Sequence, residues 1–442
     1  MATWQRWGLT NNPFFQDELT SGPKAAHPVE RLLVGRRAEL QRARTIFEDE
    51  TSARCIVEGD PGIGKTSFVN RIKADLIKSD TVRAEIDGIL ISSETTARDV
   101  TAEALRVVLR LREEEMEGAK KGLVQKIGDL ARSEQREAKA FWEDVTSRVL
   151  SKSSTAHGVT LGNAAMQGGY SHQRSRQVAD EGAGPLHQLF REAVKRFYRE
   201  WGRSILFHVD NVELLGGGQA ETAATVVQEL RPCYTAAHSH WVFVGTNGID
   251  RTIFRARTQT GGYFQDSIRL AHLTSTEVRD ALAERYQHLK QETRSYIAPV
   301  ALEAAAELYT RYEGDLRNFL RMLEQATTAM SGTSAPQSLD AADVRGRITP
   351  RYWERLVSDV GAVVATHFKH TVRGASGRVA VPVLREFRQK DMQDRADVKG
   401  PATQAAMKAL IEAQYIHFVR SDGPSKYYRI TGDAAMALDA AA

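Results

Sequence analysis

The spacing of apolar positions changes several times along this chain, and the changes mark alternating strands and helices. Five short runs read as strands: Arg54-Cys55-Ile56-Val57-Glu58, the alternating stretch 81–87, Ile205-Leu206-Phe207-His208-Val209-Asp210, Trp241-Val242-Phe243-Val244-Gly245, and Ser267-Ile268-Arg269-Leu270. Helical spacing recurs between them, at Val69, Ile72 and Leu76, over about 97–111, and at Leu186, Leu189, Phe190, Val194 and Phe197. The near-continuous apolar run before Asp210 has the pattern of a central parallel strand buried on both faces. Strands interleaved with helices in this way predict an α/β sheet. His208, inside that run, reads as a satisfied core residue.

Beyond residue 270 the pattern is helical. Thr274-Ser275-Thr276-Glu277 spells a capping box ahead of Val278, Leu282 and Tyr286, Gly314 reads as a helix stop, and Asp315 reads as the N-cap of a helix opening at Leu316. The stretch 331–338 has linker composition. Helices are expected at 353–368, 383–389 and 403–413, followed by strands 415–420 and 426–430 around Asp422-Gly423-Pro424-Ser425. Helices ending in a hairpin with basic, aromatic strands predict a winged helix. Near the start, Trp7 to Phe15 reads as an extended segment, and Gly35 opens a helix running to about residue 49. The charged stretch 112–150 reads as exposed helices. The stretch 151–177, with His157, His172, Arg174 and Arg176, reads either as a solvated loop or as a basic finger. The resulting domains are an N-terminal segment 1–30, an α/β base 31–272 with an insert at about 112–185, a helical lid 273–330, a linker 331–340 and a winged helix 341–442.

Composition narrows the picture modestly. With 442 residues, several domains are expected. No apolar run is long enough to span a bilayer and no signal-peptide pattern opens the sequence, so a cytoplasmic protein without membrane contact is expected. Two cysteines, Cys55 and Cys233, are too few for a disulfide framework or a zinc site. The net charge of +4 is mild, but from Arg345 onward there are 16 Lys and Arg against 10 Asp and Glu. That basic terminal module is a candidate electrostatic footprint for nucleic acid. Within it, Lys399, Thr403, Gln404 and Lys408 are candidate groove contacts, and Arg420, Lys426 and Arg429 lie where phosphates are expected.

The chemistry centres on Gly59-Asp60-Pro61-Gly62-Ile63-Gly64-Lys65-Thr66, which joins the first strand to the helix of Val69 and Ile72. In that setting the run is a phosphate-binding loop. Its glycines let backbone N–H groups form a concave nest, and the helix N-terminus that follows favours anions. Lys65 would reach the β- and γ-phosphates and the Thr66 hydroxyl would hold Mg²⁺, with Ser67 extending the binding set. Asp210, at the carboxyl end of its strand, is a second candidate metal group. Asn247 is placed to orient a water near the terminal phosphate.

With these motifs in order, the chain resembles an AAA+ ATPase, and among these the archaeal and eukaryotic origin-recognition initiators, over about 13–323 with a looser match in the winged helix. The resemblance implies an AAA+ P-loop parallel sheet with a helical lid. It makes residues 59–66 the Walker A loop, Asp210 the Walker B acid, Asn247 sensor 1 and Arg317 sensor 2. It makes Val34-Gly35-Arg36 part of the adenine pocket, and assigns an arginine finger to Arg257, Arg255 or Arg251. Many members place glutamate directly after the Walker B aspartate, whereas Asn211 stands here and Glu213 lies two further on. Asparagine cannot act as a general base. The implied function is an ATP-binding, ATP-hydrolysing switch or motor, working slowly with Mg²⁺ as a homo-oligomer on double-stranded DNA, the nucleotide lying between base, lid and a neighbouring protomer. A signalling or scaffold ATPase with a protein partner is the alternative reading.

Overall fold

The computed structural model describes residues 3–22, 25–49, 52–120, 132–150, 183–256, 262–264, 266–310, 312, 315–329, 336–373, 386–422 and 425–439. The chain divides into two compact units, one of residues 18–60 and 65–270, the other of residues 1–17, 61–64 and 271–442.

The first unit is built on a parallel sheet. Its strands are β1 (Arg54–Glu58), β2 (Val82–Ala84), β3 (Ile89–Leu90), β4 (Ser204–Asp210), β5 (Ser239–Gly245) and β6 (Asp266–Arg269). They run in the order β2-β4-β5-β1-β6, with β3 also paired to β4. Every pairing is parallel. All seven residues of β5 are buried, as are six of the seven in β4, which is why those two runs are apolar without alternation. The register sets Glu58 opposite Gly245, and β4 ends at Asp210, so the carboxyl ends of three adjacent strands share the edge where such sheets bind ligands. The fold is of the α/β class, a parallel sheet with helices between its strands.

Aromatic rings fill the space behind this edge. Phe207 and Trp241 stack at 4.7 Å, Phe190 of the helix Ala183–Trp201 packs on both, and Phe254 and Phe264 surround Phe243.

Two expectations change here. The stretch 81–87 is not one strand: β2 ends at Ala84, and a new strand, β3, follows Gly88. A Cβ at Gly88 would lie 2.8 Å from His208 Nδ1, so the chain passes that ring too closely for a side chain. The charged region 112–150 is also not wholly exposed. The helix Ala97–Lys120 runs into it, and the helix Arg132–Leu150 buries Trp142, Val145 and Val149 on one face. Trp142 Nε1 donates to Glu200 at 2.9 Å, and the Arg112 guanidinium lies 4.8 Å from the Trp142 ring centroid. The finger candidates His157, His172, Arg174 and Arg176 lie outside the described residues.

The second unit is mainly helical. Its helices include Ser275–His288, Leu302–Tyr309, Leu316–Thr328, Ala341–Val360, Ala362–Arg373, Gln389–Ala396, Gly400–Glu412 and Gly432–Asp439. The capping box at Thr274 is present in both directions, with Glu277 N donating at 3.2 Å and Thr274 N donating to Glu277 Oε2 at 2.8 Å. The N-terminal segment packs through Trp7, Leu9, Phe14 and Phe15. Buried Arg285 anchors it by donating to the carbonyls of Pro13 and Phe15 and by lying 4.0 Å from the Phe15 ring centroid. A three-stranded antiparallel sheet of β7 (Glu386–Arg388), β8 (Ile416–Asp422) and β9 (Ser425–Ile430) has the order β7-β9-β8. The helix expected at 383–389 is corrected by β7. Phe387 points inward between the partly exposed Glu386 and Arg388, a two-residue alternation, and the helix begins only at Gln389. Gly314 lies outside the described residues. Among the described residues, no helix is long and apolar enough to cross a membrane.

Candidate nucleotide site

The loop between β1 and the helix Lys65–Lys78 takes the conformation its glycines permit. Gly62 has φ 77° and Gly64 has φ 93°, a region that side chains rarely adopt. A Cβ at Gly62 would lie 3.1 Å from Asp315 Oδ1 and 3.4 Å from Arg317 Cβ, so this position has a spatial as well as a conformational need for glycine. Ile63 is buried. Lys65 Nζ donates back to the carbonyls of Gly59 and Asp60 at 3.0 and 3.1 Å. The Thr66 hydroxyl donates to Asp210 Oδ2 at 2.9 Å, which brings together the two groups expected to share a metal ion. Ser67 faces another way, its hydroxyl accepting from Leu19 N at 3.2 Å.

Asn211 turns the chain through a left-handed φ of 60°, and its N–H donates to Asp210 Oδ1 at 2.8 Å. This turn launches the 3-10 segment Val212–Gly218 and brings the Glu213 carboxylate to the end of β5, where Thr246 N donates to it at 3.3 Å. A Cβ at Gly245 would lie 2.7 Å from Glu213 Oε2. Asn247 Nδ2 donates to Asp60 Oδ1, while Asn247 Oδ1 is buried without a hydrogen-bond partner among the described residues. Lys65, Thr66, Asp210, Glu213 and Asn247 thus converge at the carboxyl edge of the sheet.

Other candidates are placed less centrally. Val34 and Gly35 lie in the turn between the helices Val29–Leu32 and Arg37–Asp49, with Gly35 at φ 76°. Arg251 is exposed on the π-helical turn Asp250–Phe254, and Arg255 Nε lies 2.9 Å from both carboxylate oxygens of Asp250. Arg257 lies outside the described residues. Arg317 is exposed on the first turn of Leu316–Thr328, capped by Asp315, which accepts from Asn318 N at 3.0 Å.

In the C-terminal module, Lys399, Gln404, Lys408 and Lys426 are exposed. Thr403 is corrected as a groove contact: it is fully buried and its hydroxyl donates to the carbonyls of Val398 and Lys399. Arg429 is half-buried and ion-paired with Glu386 across β7 and β9. Arg420 lies on β8 opposite Tyr427.

No family model and no curated protein matches the chain. Among solved structures, the Aeropyrum pernix ORC1 protein in complex with DNA is similar at 12% identity over 93% of each chain, with a TM-score of 0.45. The Aeropyrum pernix ORC2 protein, in ADPNP–ADP complexes, is similar at 12% identity over 97% of each chain, with a TM-score of 0.48. The Thermotoga maritima RuvB Holliday junction branch migration motor is similar at 11% identity over 92% of this chain and 95% of that one, with a TM-score of 0.40.

Three features in and near these residues were missed by sequence reasoning. Glu58, at the end of β1, accepts from Gly248 N at 2.9 Å and so fixes the loop that carries Asn247. An acid closing an apolar strand was the available signal. Lys73 is buried and donates to Ile86 O at 2.7 Å, and burial pushes its ammonium down to about 8. His208 is buried as expected but not satisfied. Both ring nitrogens lack a hydrogen-bond partner among the described residues, and Nε2 lies 3.9 Å from Asp210 Oδ2. Burial, reinforced by the Lys73 charge, holds it well below the usual histidine range.

Proposed function

We propose that the chain is an ATP-binding and slowly ATP-hydrolysing AAA+ switch that controls its own assembly and its engagement of duplex DNA through a C-terminal winged helix. The observation that carries the reading is the Thr66–Asp210 hydrogen bond beside a loop of left-handed glycines at the carboxyl edge of a parallel sheet. The donor set suits ATP and Mg²⁺. Backbone N–H groups of 59–64 and the Lys65 ammonium would hold phosphates, Thr66 and Asp210 would hold the metal ion, and the buried Asn247 Oδ1 has no donor among the described residues. Bound Mg²⁺ supplies neutralisation of charge on the transferring phosphoryl group.

The chain's own residues supply the rest. Asn211 cannot take a proton, so Glu213 is the carboxylate proposed to hold the proton of an attacking water through the end of β5. Its engagement with Thr246 N fits a slow reset. Arg317 is proposed as sensor 2, one of Arg251, Arg255 and Arg257 as the finger acting on a neighbouring copy, and Val34 and Gly35 as adenine contacts. The module after Ala341 is proposed as the winged helix, with Lys399, Gln404, Lys408 and Lys426 toward DNA. Lys65→Ala is expected to weaken ATP binding by at least about tenfold while the thermal melt is unchanged. ATP affinity equal to that of the unsubstituted chain, measured by calorimetric titration, would remove the reading.

A further inference from the structure

The phosphate loop carries a carboxylate whose partner is the residue expected to watch the terminal phosphate. We propose that Asp60 is a specificity residue for the third phosphate: it occupies the Asn247 side chain until a nucleoside triphosphate takes that side chain over. The inference rests on the nucleotide reading above.

Three observations converge. Asn247 Nδ2 donates to Asp60 Oδ1, although the two residues are 187 positions apart. The backbone on either side of Asn247 is pinned by carboxylates, since Gly248 N donates to Glu58 Oε2 at 2.9 Å and Thr246 N donates to Glu213 Oε2 at 3.3 Å. The Asn247 side chain therefore changes partner by rotating, not by moving its loop. The Lys65 ammonium meanwhile rests on the carbonyls of Gly59 and of Asp60 itself.

The loop thus holds an anionic oxygen and an ammonium in the place where phosphate oxygens are expected, with the carboxylate standing in for one of them. A diphosphate, which has no third phosphate to offer, leaves the Asp60–Asn247 pair intact. A triphosphate that draws the Asn247 side chain toward its third phosphate competes with that hydrogen bond and brings an additional negative charge toward the carboxylate. Both effects oppose ATP more than ADP. Asp60 accordingly lowers the preference for ATP and makes release of Asn247 the step that separates the two nucleotides.

The test is a double-mutant cycle on the full chain, with Kd for Mg²⁺-ATP and Mg²⁺-ADP measured by calorimetric titration. Asp60→Ala is expected to raise the ratio of ATP to ADP affinity by about tenfold, the scale of one charge-assisted hydrogen bond. Asp60→Ser, also too short to reach Asn247, is expected to match it. In an Asn247→Ala background the same Asp60 change is expected to move the ratio by less than about threefold, since only the bare charge remains. A ratio unchanged in Asp60→Ala and Asp60→Ser overturns the inference, as does an equal rise with and without Asn247. Absence of nucleotide binding by the unsubstituted chain overturns the nucleotide reading and this inference together, whereas binding with an unaltered ratio overturns the inference alone.

Discussion

At Asn211 a side chain permits a left-handed turn, and at Lys73 an ammonium is held in a buried place. Asparagine is among the few residues that enter the left-handed region readily, and at φ 60° Asn211 uses that tolerance to turn the chain toward Glu213. Asn211, which cannot itself take a proton, is therefore the residue whose turn brings the Glu213 carboxylate to the end of β5. Lys73 pays in charge instead. Burial is the largest cause of its depression to about 8 from 10.5, against the pull of Asp87, Glu85, Asp210 and Glu18. The unfolded chain then binds this proton more tightly than the folded chain, so a penalty is present in full below pH 8 and is lost as pH rises toward 10.5. Urea unfolding at about pH 7 and about pH 10 is expected to show the unsubstituted chain gaining stability relative to Lys73→Met at the higher pH. A difference independent of pH would mean that Lys73 folds without that penalty.

At the scale of elements, the helix Gly432–Asp439 is docked with little tolerance. A Cβ at Gly432 would lie 2.0 Å from Tyr312 Cδ1, and Asp433 in the next position is ion-paired with Arg321 at 3.2 Å. Arg321 belongs to the same helix as Arg317, so the C-terminal helix grips the element that bears the proposed sensor. Gly432→Ala is expected to cost about 1–3 kcal/mol, read as a lower urea midpoint with an unchanged slope. β4 and β5 were legible because strands buried on both faces leave unbroken apolar runs, and the caps at Thr274 and Asp315 because their hydrogen bonds are local in sequence. The helix Arg132–Leu150 was not, because Trp142, Val145 and Val149 are three apolar residues among many charged ones and only tertiary packing reveals their shared face. In the candidate site, the meeting of Thr66 with Asp210 was legible from spacing and strand ends. The Asp60–Asn247 pair was not, since nothing local links residues so distant, and Thr403 was misplaced because a polar residue on a helix says nothing of which face it occupies.

At the scale of the whole molecule, the proposed DNA engagement is foremost an electrostatic claim. Exposed Lys408 sits beside Glu412 at 3.7 Å, a surface pair that holds it weakly, and Lys426 is exposed at the start of β9. Replacing both with alanine is expected to weaken duplex binding and to reduce the slope of log affinity against log salt by about two. An unaltered slope would assign those lysines to another surface. The sheet order carries a different consequence, for synthesis. β1, which leads into the phosphate loop, pairs with β5 through Arg54 and Trp241 and with β6 through Cys55 and Asp266. A growing chain therefore carries Cys55, Ile56 and Val57 without either neighbour until most of the sequence has left the ribosome, and contacts so remote in sequence form slowly. The loop encoded early gains its sheet neighbours late, so a chain halted before β5 displays an unpaired apolar strand and lacks Asn247.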